Sequence, residues 1–445
     1  MKKLLPILTL AIALLLSATI SAQAEDENTV IDGKTQLMLI DSISAALNQT
    51  YIFEDVAHKM GEFIHEQHQK GIYKDLTNPD EFGRMLTEDM RSISHDLHLG
   101  VRFASDEQIH FACTAEPTDE DIEAYREEAA YNNFGFRKAE RIKGNIGYLR
   151  FDGFTNTDLA GQTAIAAMNF LGYVDALIID LRYNGGGSPT MIQLLSSYLF
   201  DDSRHLNSFY IRDGDITEQY WTQQYVSGPK LLDADVYVLT SNNTFSAAEE
   251  FTYNLKNMKR ATIIGETTGG GAHPVQSRCF EGLPFILRLP YGRAINPISG
   301  TNWEGTGVEP DIKVAADDAF EVAQMEAMKN LMDKTTDEQQ KASLLFNFKI
   351  MKTLKEPVKL SEKLMKSYVG SYEDRSIKFE NGELIYQRGE NPPHKMYPAS
   401  ETTFCFDDLD FFILEVIRDS KGTPLKLVGH YEGGRTDESP RTSGK

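Results

Sequence analysis

A serine hydroxyl attacks a carbonyl carbon only when a base takes its proton, so the serines, imidazoles and carboxylates that a fold can bring together come first. Ser246 is the sharpest of them. It follows an apolar run at 236–240 and the short loop Asn242-Asn243, and it opens a stretch of helical character. A serine so placed sits near a helix dipole and beside the amide of Ala247, a candidate oxyanion donor. The same residues, Ser246-Ala247-Ala248-Glu249, also spell a helix capping box with no chemistry attached. The hydrolase elbow Gly-x-Ser-x-Gly is missing, because Thr244 and Ala248 stand at its glycine positions.

Two histidines are candidate bases. His98 lies in Asp96-Leu97-His98-Leu99, and His273 follows the glycine cluster Gly269-Gly270-Gly271. A lone histidine such as His98 is more often structural, and it matters for chemistry only if the fold brings it to Ser246. Glu304 lies in Trp303-Glu304-Gly305-Thr306-Gly307-Val308; an acid in such a loop is either solvated or orients a histidine. No metal is expected. His65-Glu66-Gln67-His68 is one residue short of the zinc-protease helix motif, and His95 and His98 suggest no third ligand. Neither Gly185-Gly186-Gly187 nor the second cluster contains the Gly-Lys-Ser/Thr of a phosphate loop, and the dinucleotide fingerprint is absent, so no cofactor is expected. The Gly185, Gly186 and Gly187 amides would suit either an oxyanion or a plain tight turn.

Residues 33–95 carry apolar positions at helical spacing in three runs, among them Leu37, Ile40, Ile43 and Leu47, then Met60 and Ile64, then Phe82, Leu86 and Met90. A short strand is expected at 100–103 and an acidic helix at 118–131. From 145 onward strands and helices alternate: strands at 145–151, 176–181, 236–240, 261–264 and 285–289, and helices at 157–171, 189–200 and from 246. That alternation predicts an α/β core. Residues 316–358 read as a charged helical linker. Short strand candidates from 359 to 435 predict a small β-rich domain, and residues from 433 read as frayed. The expected division is a signal at 1–24, a helical bundle at 25–100, a core at 101–315, the linker and the β-rich domain.

The 445 residues are 41% apolar and 25% charged, enough to bury large cores. Lys plus Arg is 45 against 66 Asp plus Glu, a net charge of −21, with no basic run after the extreme N-terminus. That balance excludes nucleic acid as an expected partner. Three scattered cysteines make no disulfide framework or zinc site, though one pair can form. Lys2-Lys3, the apolar run 4–16 and Ala22-Gln23-Ala24 read as a cleaved secretory signal, and no later stretch is apolar enough to span a bilayer. An exported protein, periplasmic or extracellular, is the expectation. The oligomeric state is left open.

In this order, Asp96-Leu97-His98, Asp180-Leu181-Arg182-Tyr183-Asn184-Gly185-Gly186-Gly187, Thr244-Phe245-Ser246-Ala247-Ala248-Glu249, Gly265-Glu266-Thr267-Thr268-Gly269-Gly270-Gly271 and Trp303-Glu304-Gly305-Thr306-Gly307-Val308-Glu309-Pro310-Asp311 resemble the tail-specific, C-terminal-processing serine peptidases. Within that family the chain resembles the branch of the tricorn protease core and the interphotoreceptor retinoid-binding protein. The processing branch carries a lysine base in a Gly-Lys-Gly turn, where this chain has Gly271, and a PDZ domain for which the stretch between His98 and Gly144 is about half long enough. The resemblance implies a crotonase- and Clp-protease-like α/β core. It implies Ser246 as nucleophile, His98 as base and Glu304 as distal acid, with an oxyanion hole from Gly185, Gly186, Gly187 and Ala247. His273 is the alternative base. Where the tricorn site has a serine that relays the glutamate to the histidine, this chain has Leu97 and Leu99 beside His98, so either Asp96 or a hydroxyl from elsewhere orients the ring or the relay is missing. The implied activity is hydrolysis of short or unfolded peptides. The alternative is a non-catalytic carrier of lipid- or retinoid-like ligands on the same scaffold.

Overall fold

A computed structural model describes residues 29–113 and 118–442. The expected signal at 1–24 lies outside the described residues. The fold is α/β, with a helical N-terminal region and sheets in the C-terminal part. The chain divides into two bodies: residues up to Glu140 with Gly147–Ala319, and Arg141–Ile146 with Phe320–Lys445.

In the first body, three helices, Gly33–Thr50, Glu54–Gln69 and Pro79–Ser94, form the start. The Asp32 carboxylate caps the first, accepting from the Thr35 amide at 2.8 Å. Asn78 caps the third, and Pro79 opens it, where a missing N–H costs nothing. This bundle is not a separate body. Leu39, Ile40, Ile43, Leu47, Met60, Ile64, Phe82 and Leu86 share one core with Leu283, Phe285, Leu287 and Leu289 of the strand Leu283–Pro290. Each such side chain contributes roughly 1.5–3 kcal/mol by leaving water. Leu37, expected on the apolar face, is 40% exposed, and Leu39 takes the core position instead.

The main sheet has six strands in the order Ile312–Lys313, Ala261–Gly265, Asp235–Thr240, Ala176–Asp180, Ile146–Phe151, Phe136–Ile142. The first four pair in parallel. The strand Ala176–Asp180 is buried throughout, as a central parallel strand must be. The helices Thr157–Phe170, Pro189–Ser197 and Ala247–Asn257 cover it, burying Met168, Met191, Ile192, Phe251 and Leu255 in one core. Two smaller sheets join Gly100–Phe103, Leu283–Pro290 and Val275–Phe280, and Gly292–Ile295, His205–Ile211 and Ile216–Trp221. Cys113 and Cys279 form a disulfide, and Cys405 is free and buried.

In the second body, the residues read as a linker form packed helices, Ala316–Lys334 and Glu338–Lys355. Ile350 of the latter is buried with Cys405 and Ile413. Two antiparallel sheets, of four and five strands, follow. Their core includes Tyr368, Tyr372, Phe404, Phe406, Phe412 and Leu414. The terminal residues read as frayed are a strand, Thr436–Pro440, paired along Pro424–Tyr431. The buried Arg375 guanidinium bonds the Asp437 carboxylate at 2.5 Å and fixes that strand, an anchor that hydrophobic patterning does not reveal.

Candidate active site

Ser246 stands at the turn between the strand Asp235–Thr240 and the helix Ala247–Asn257. The turn is laced to its neighbour: the Thr244 hydroxyl donates to the Leu181 carbonyl at 2.8 Å, and the Phe245 amide donates to the Asn184 carbonyl at 3.0 Å. Ser246 itself has φ 55° and ψ −120°, a region a side chain rarely adopts. Its amide is held by the Glu249 carboxylate at 2.9 Å. Glu249 is fully buried and also accepts from the Thr268 hydroxyl (2.5 Å) and from the Gly270 (2.7 Å) and Gly271 (2.8 Å) amides. Burial outweighs these bonds and raises its carboxyl above the usual range. Glu249 thereby ties the serine turn to the second glycine cluster.

The first glycine turn lies against the serine. A Cβ on Gly186, which has φ 106°, would sit 2.7 Å from Ser246 Cβ and 2.8 Å from the Ala247 nitrogen. Only glycine allows that approach. The Gly186 amide donates to Asn184 Oδ1 at 2.9 Å, so of the four amides expected to face an oxyanion this one is already engaged.

His98 is aimed by the end of the third helix. That helix stops at His95 in the left-handed region (φ 55°), and Arg91 then holds the carbonyls of Leu99 at 2.7 Å and Leu97 at 2.6 Å. Leu99 is buried and Leu97 is exposed, while the His98 ring turns inward against Phe245, 4.6 Å between centroids. A Cβ on residue 271 would fall 2.6 Å from His98 Cε1 and 2.3 Å from the Phe245 ring, so the position of a lysine base in the processing branch has no room here for any side chain. Neither His98 ring nitrogen has a hydrogen-bond partner, Ser246 included. Burial, countered by Asp96 and reinforced by Arg288, pushes the imidazole down to about 3.

Glu304 and His273 join this ring in one cluster. Trp303 Nε1 donates to the Gly271 carbonyl at 2.7 Å, and Glu304 Oε2 accepts the Ala272 amide at 2.6 Å. Glu304 Oε1 is buried without a partner. Burial, with Asp96 nearby, pushes its carboxyl up to about 7. Ligand atoms of Asp96, His98 and Glu304 all lie within 4.8 Å of one another. His273 Nδ1 is 2.6 Å from Asp96 Oδ2 and 3.7 Å from Glu304 Oε2. Burial opposes both charges of the His273–Asp96 pair, but their mutual bond prevails, raising the imidazole and lowering the carboxyl. The Tyr51 hydroxyl donates to the same Asp96 oxygen at 3.2 Å.

The fold thus gathers Asp96, His98, His273 and Glu304, and separately gathers Ser246 with the Gly186 turn and Ala247. Glu249 and Phe245 lie between the two groups. In the sequence Glu249 is the third residue of a capping box and Thr268 sits within the second glycine motif, neither with a role assigned, and Tyr51 carries no signal. Asp96 is the one partner that adjacency to His98 singles out.

A serine on a strained strand-to-helix turn, with glycine amides on one side and a buried histidine–carboxylate cluster beyond, defines a site of the serine-peptidase type on an α/β scaffold. Residues 145–314 match peptidase family S41, and residues 32–133 match the N-terminal domain of such peptidases in eukaryotic IRBP. The chain thus carries a peptidase S41 domain preceded by an S41 N-terminal domain. It is 28% identical over 175 residues to a CtpA-like serine protease of Staphylococcus haemolyticus, an alignment covering 39% of this chain and 34% of that protein. The chain therefore spans about a third of the length of the curated relatives it matches. Among solved structures, the photosystem II D1 C-terminal processing protease is 16% identical, with a TM-score of 0.39 over 64% of this chain and 94% of that one. The tricorn protease is 14% identical, with a TM-score of 0.44 over 68% and 37%.

Proposed function

We propose that this chain is an exported serine peptidase that hydrolyses short or unfolded polypeptides. Ser246 attacks the carbonyl, His98 takes its proton and Glu304 steadies the imidazolium. The amides of Ala247 and of the Gly185 and Gly187 flanks of the first turn receive the oxyanion. The observation that carries this reading is the Ser246 backbone, held at a costly φ by Glu249 and pressed against Gly186. A capping box accounts for the Glu249 bond but requires neither a φ of 55° nor the close approach of Gly186. His98 at about 3 is neutral at pH 7 and able to accept a proton, but weakly basic. A hydrogen bond from its ring N–H to Glu304, formed as substrate seats, raises its basicity in the direction catalysis needs. Purified chain should cleave casein, and Ser246→Ala should lower the rate by at least about a thousandfold. Undiminished cleavage by that variant rejects the nucleophile. His98→Ala should lose activity too, and retained activity transfers the base to His273. Export is tested by fractionating cells that express the full chain; recovery only in the cytosol rejects it.

One observation favours a second reading, a carrier of apolar ligands: neither ring nitrogen of His98 is hydrogen-bonded to Ser246. A fluorophosphonate that labels Ser246 stoichiometrically decides for the enzyme. Absent labelling together with tight retinoid binding decides for the carrier.

A further inference from the structure

We propose that Asp96, His98 and Glu304 form a binding site for one divalent transition-metal ion, and that an ion held there takes the imidazole out of service. The second clause rests on the peptidase reading; the first does not.

His98 is 1% exposed, and both of its ring nitrogens are buried without a hydrogen-bond partner. A buried imidazole nearly always finds a donor or acceptor, and an orphaned one calls for an explanation. Glu304 Oε1, also buried, is orphaned beside it. One ligand atom from each of the three residues falls within 4.8 Å of the others. In a tetrahedral zinc site with bonds of ~2.0–2.1 Å, ligand atoms stand roughly 3.3 Å apart, so the three atoms need close by no more than about 1.5 Å to reach that geometry. One imidazole nitrogen and two carboxylate oxygens suit zinc and its neighbours, whereas magnesium prefers an all-oxygen shell.

The surroundings resemble those of a metal ligand. Asp96 is oriented by three donors: the Tyr51 hydroxyl (3.2 Å), His273 Nδ1 (2.6 Å) and the His98 amide (3.0 Å). Outer hydrogen bonds of this kind fix a ligating carboxylate and support its affinity. Sequence spacing offers His98 no third ligand, because Glu304 arrives from a loop held by Ala272.

The test uses the full chain carrying Ser246→Ala, stripped with a chelator and titrated calorimetrically with Zn²⁺, with Mg²⁺ as control. One Zn²⁺ per chain should bind and Mg²⁺ should not. Glu304→Gln on that background should weaken Zn²⁺ binding about tenfold or more, and His98→Gln should abolish it, with circular dichroism confirming the fold. If His98→Gln fails to fold, Glu304→Gln carries the test. Absence of stoichiometric Zn²⁺ binding, or equal affinity in Glu304→Gln, overturns the site. On the chain with Ser246 intact, Zn²⁺ should stop casein cleavage and a chelator should restore it; full cleavage at saturating Zn²⁺ overturns the inhibition. Zn²⁺ binding without any casein cleavage overturns the peptidase reading and leaves the site standing.

Discussion

Glu250 illustrates how much a single buried side chain decides. It follows Glu249 in the helix behind Ser246, yet it points into the protein, where burial, only partly offset by Asn207 and Asn254, pushes its carboxyl up to about 8. An unfolded chain releases that proton near the ordinary value of 4.5. Between pH 4.5 and 8 the folded chain therefore holds a proton that the unfolded chain has lost, and stability falls as pH rises through this window, by at most about 1.4 kcal/mol per unit. Glu250→Gln, neutral at every pH, should match the parent near pH 4.5 and become progressively more stable than it toward pH 8. Denaturant melts at three pH values check this; a pH-independent difference would falsify it. In the sequence Glu249 and Glu250 are both first-turn acids of one helix, and only the capping box sets Glu249 apart. Only the fold gives one of them four donors and leaves the other with an orphaned oxygen.

Among the elements, the two glycine turns set the tolerance of the site. Gly271 packs its Cα against Phe245 and His98, and its amide is held by Glu249. Gly271→Ala should destabilise the chain by about 1–3 kcal/mol through overpacking and should displace His98, lowering casein cleavage by more than the loss of stability explains. Paired denaturant melts and rate measurements separate the two effects, and an unchanged rate would show that His98 is not the base. The central strands and covering helices were legible because each announces itself by a run of apolar residues with a breaker at its end. Edge strands such as Ile216–Trp221, mostly exposed, were not legible, because pairing on one side and solvent on the other leave no apolar pattern to read.

For the molecule as a whole, the Cys113–Cys279 bond joins two residues of the first body that lie 166 apart in the chain. Closing so long a loop in the unfolded chain gives a stabilisation of about 2–5 kcal/mol. Thiol titration of the denatured, unreduced chain should therefore find one reactive group, that of Cys405, and reduction should lower the melting temperature. Three thiols in protein purified from an oxidising compartment would show that the bond does not form. In the second body, the helices read as a linker hold Ile350 against Cys405 and Ile413. Charged composition concealed that packing, since a helix needs only one apolar stripe to dock.

The sequence by itself determined the α/β alternation, the three N-terminal helices and a β-rich C-terminal part, because these depend on local periodicity and turn chemistry. It also determined that one serine stands at the mouth of a helix after a buried strand, and its ordered motifs placed the chain among serine peptidases. Tertiary structure decided the rest. It put Asp96, His98, His273 and Glu304, drawn from segments far apart in the chain, into one buried cluster. It turned Glu249 from a capping residue into the clamp between the serine turn and the second glycine cluster, and it left both ring nitrogens of His98 without a hydrogen bond. The reason is physical. Partner identity and desolvation set the charge and reach of a buried group, and both depend on which distant segments exclude water from it.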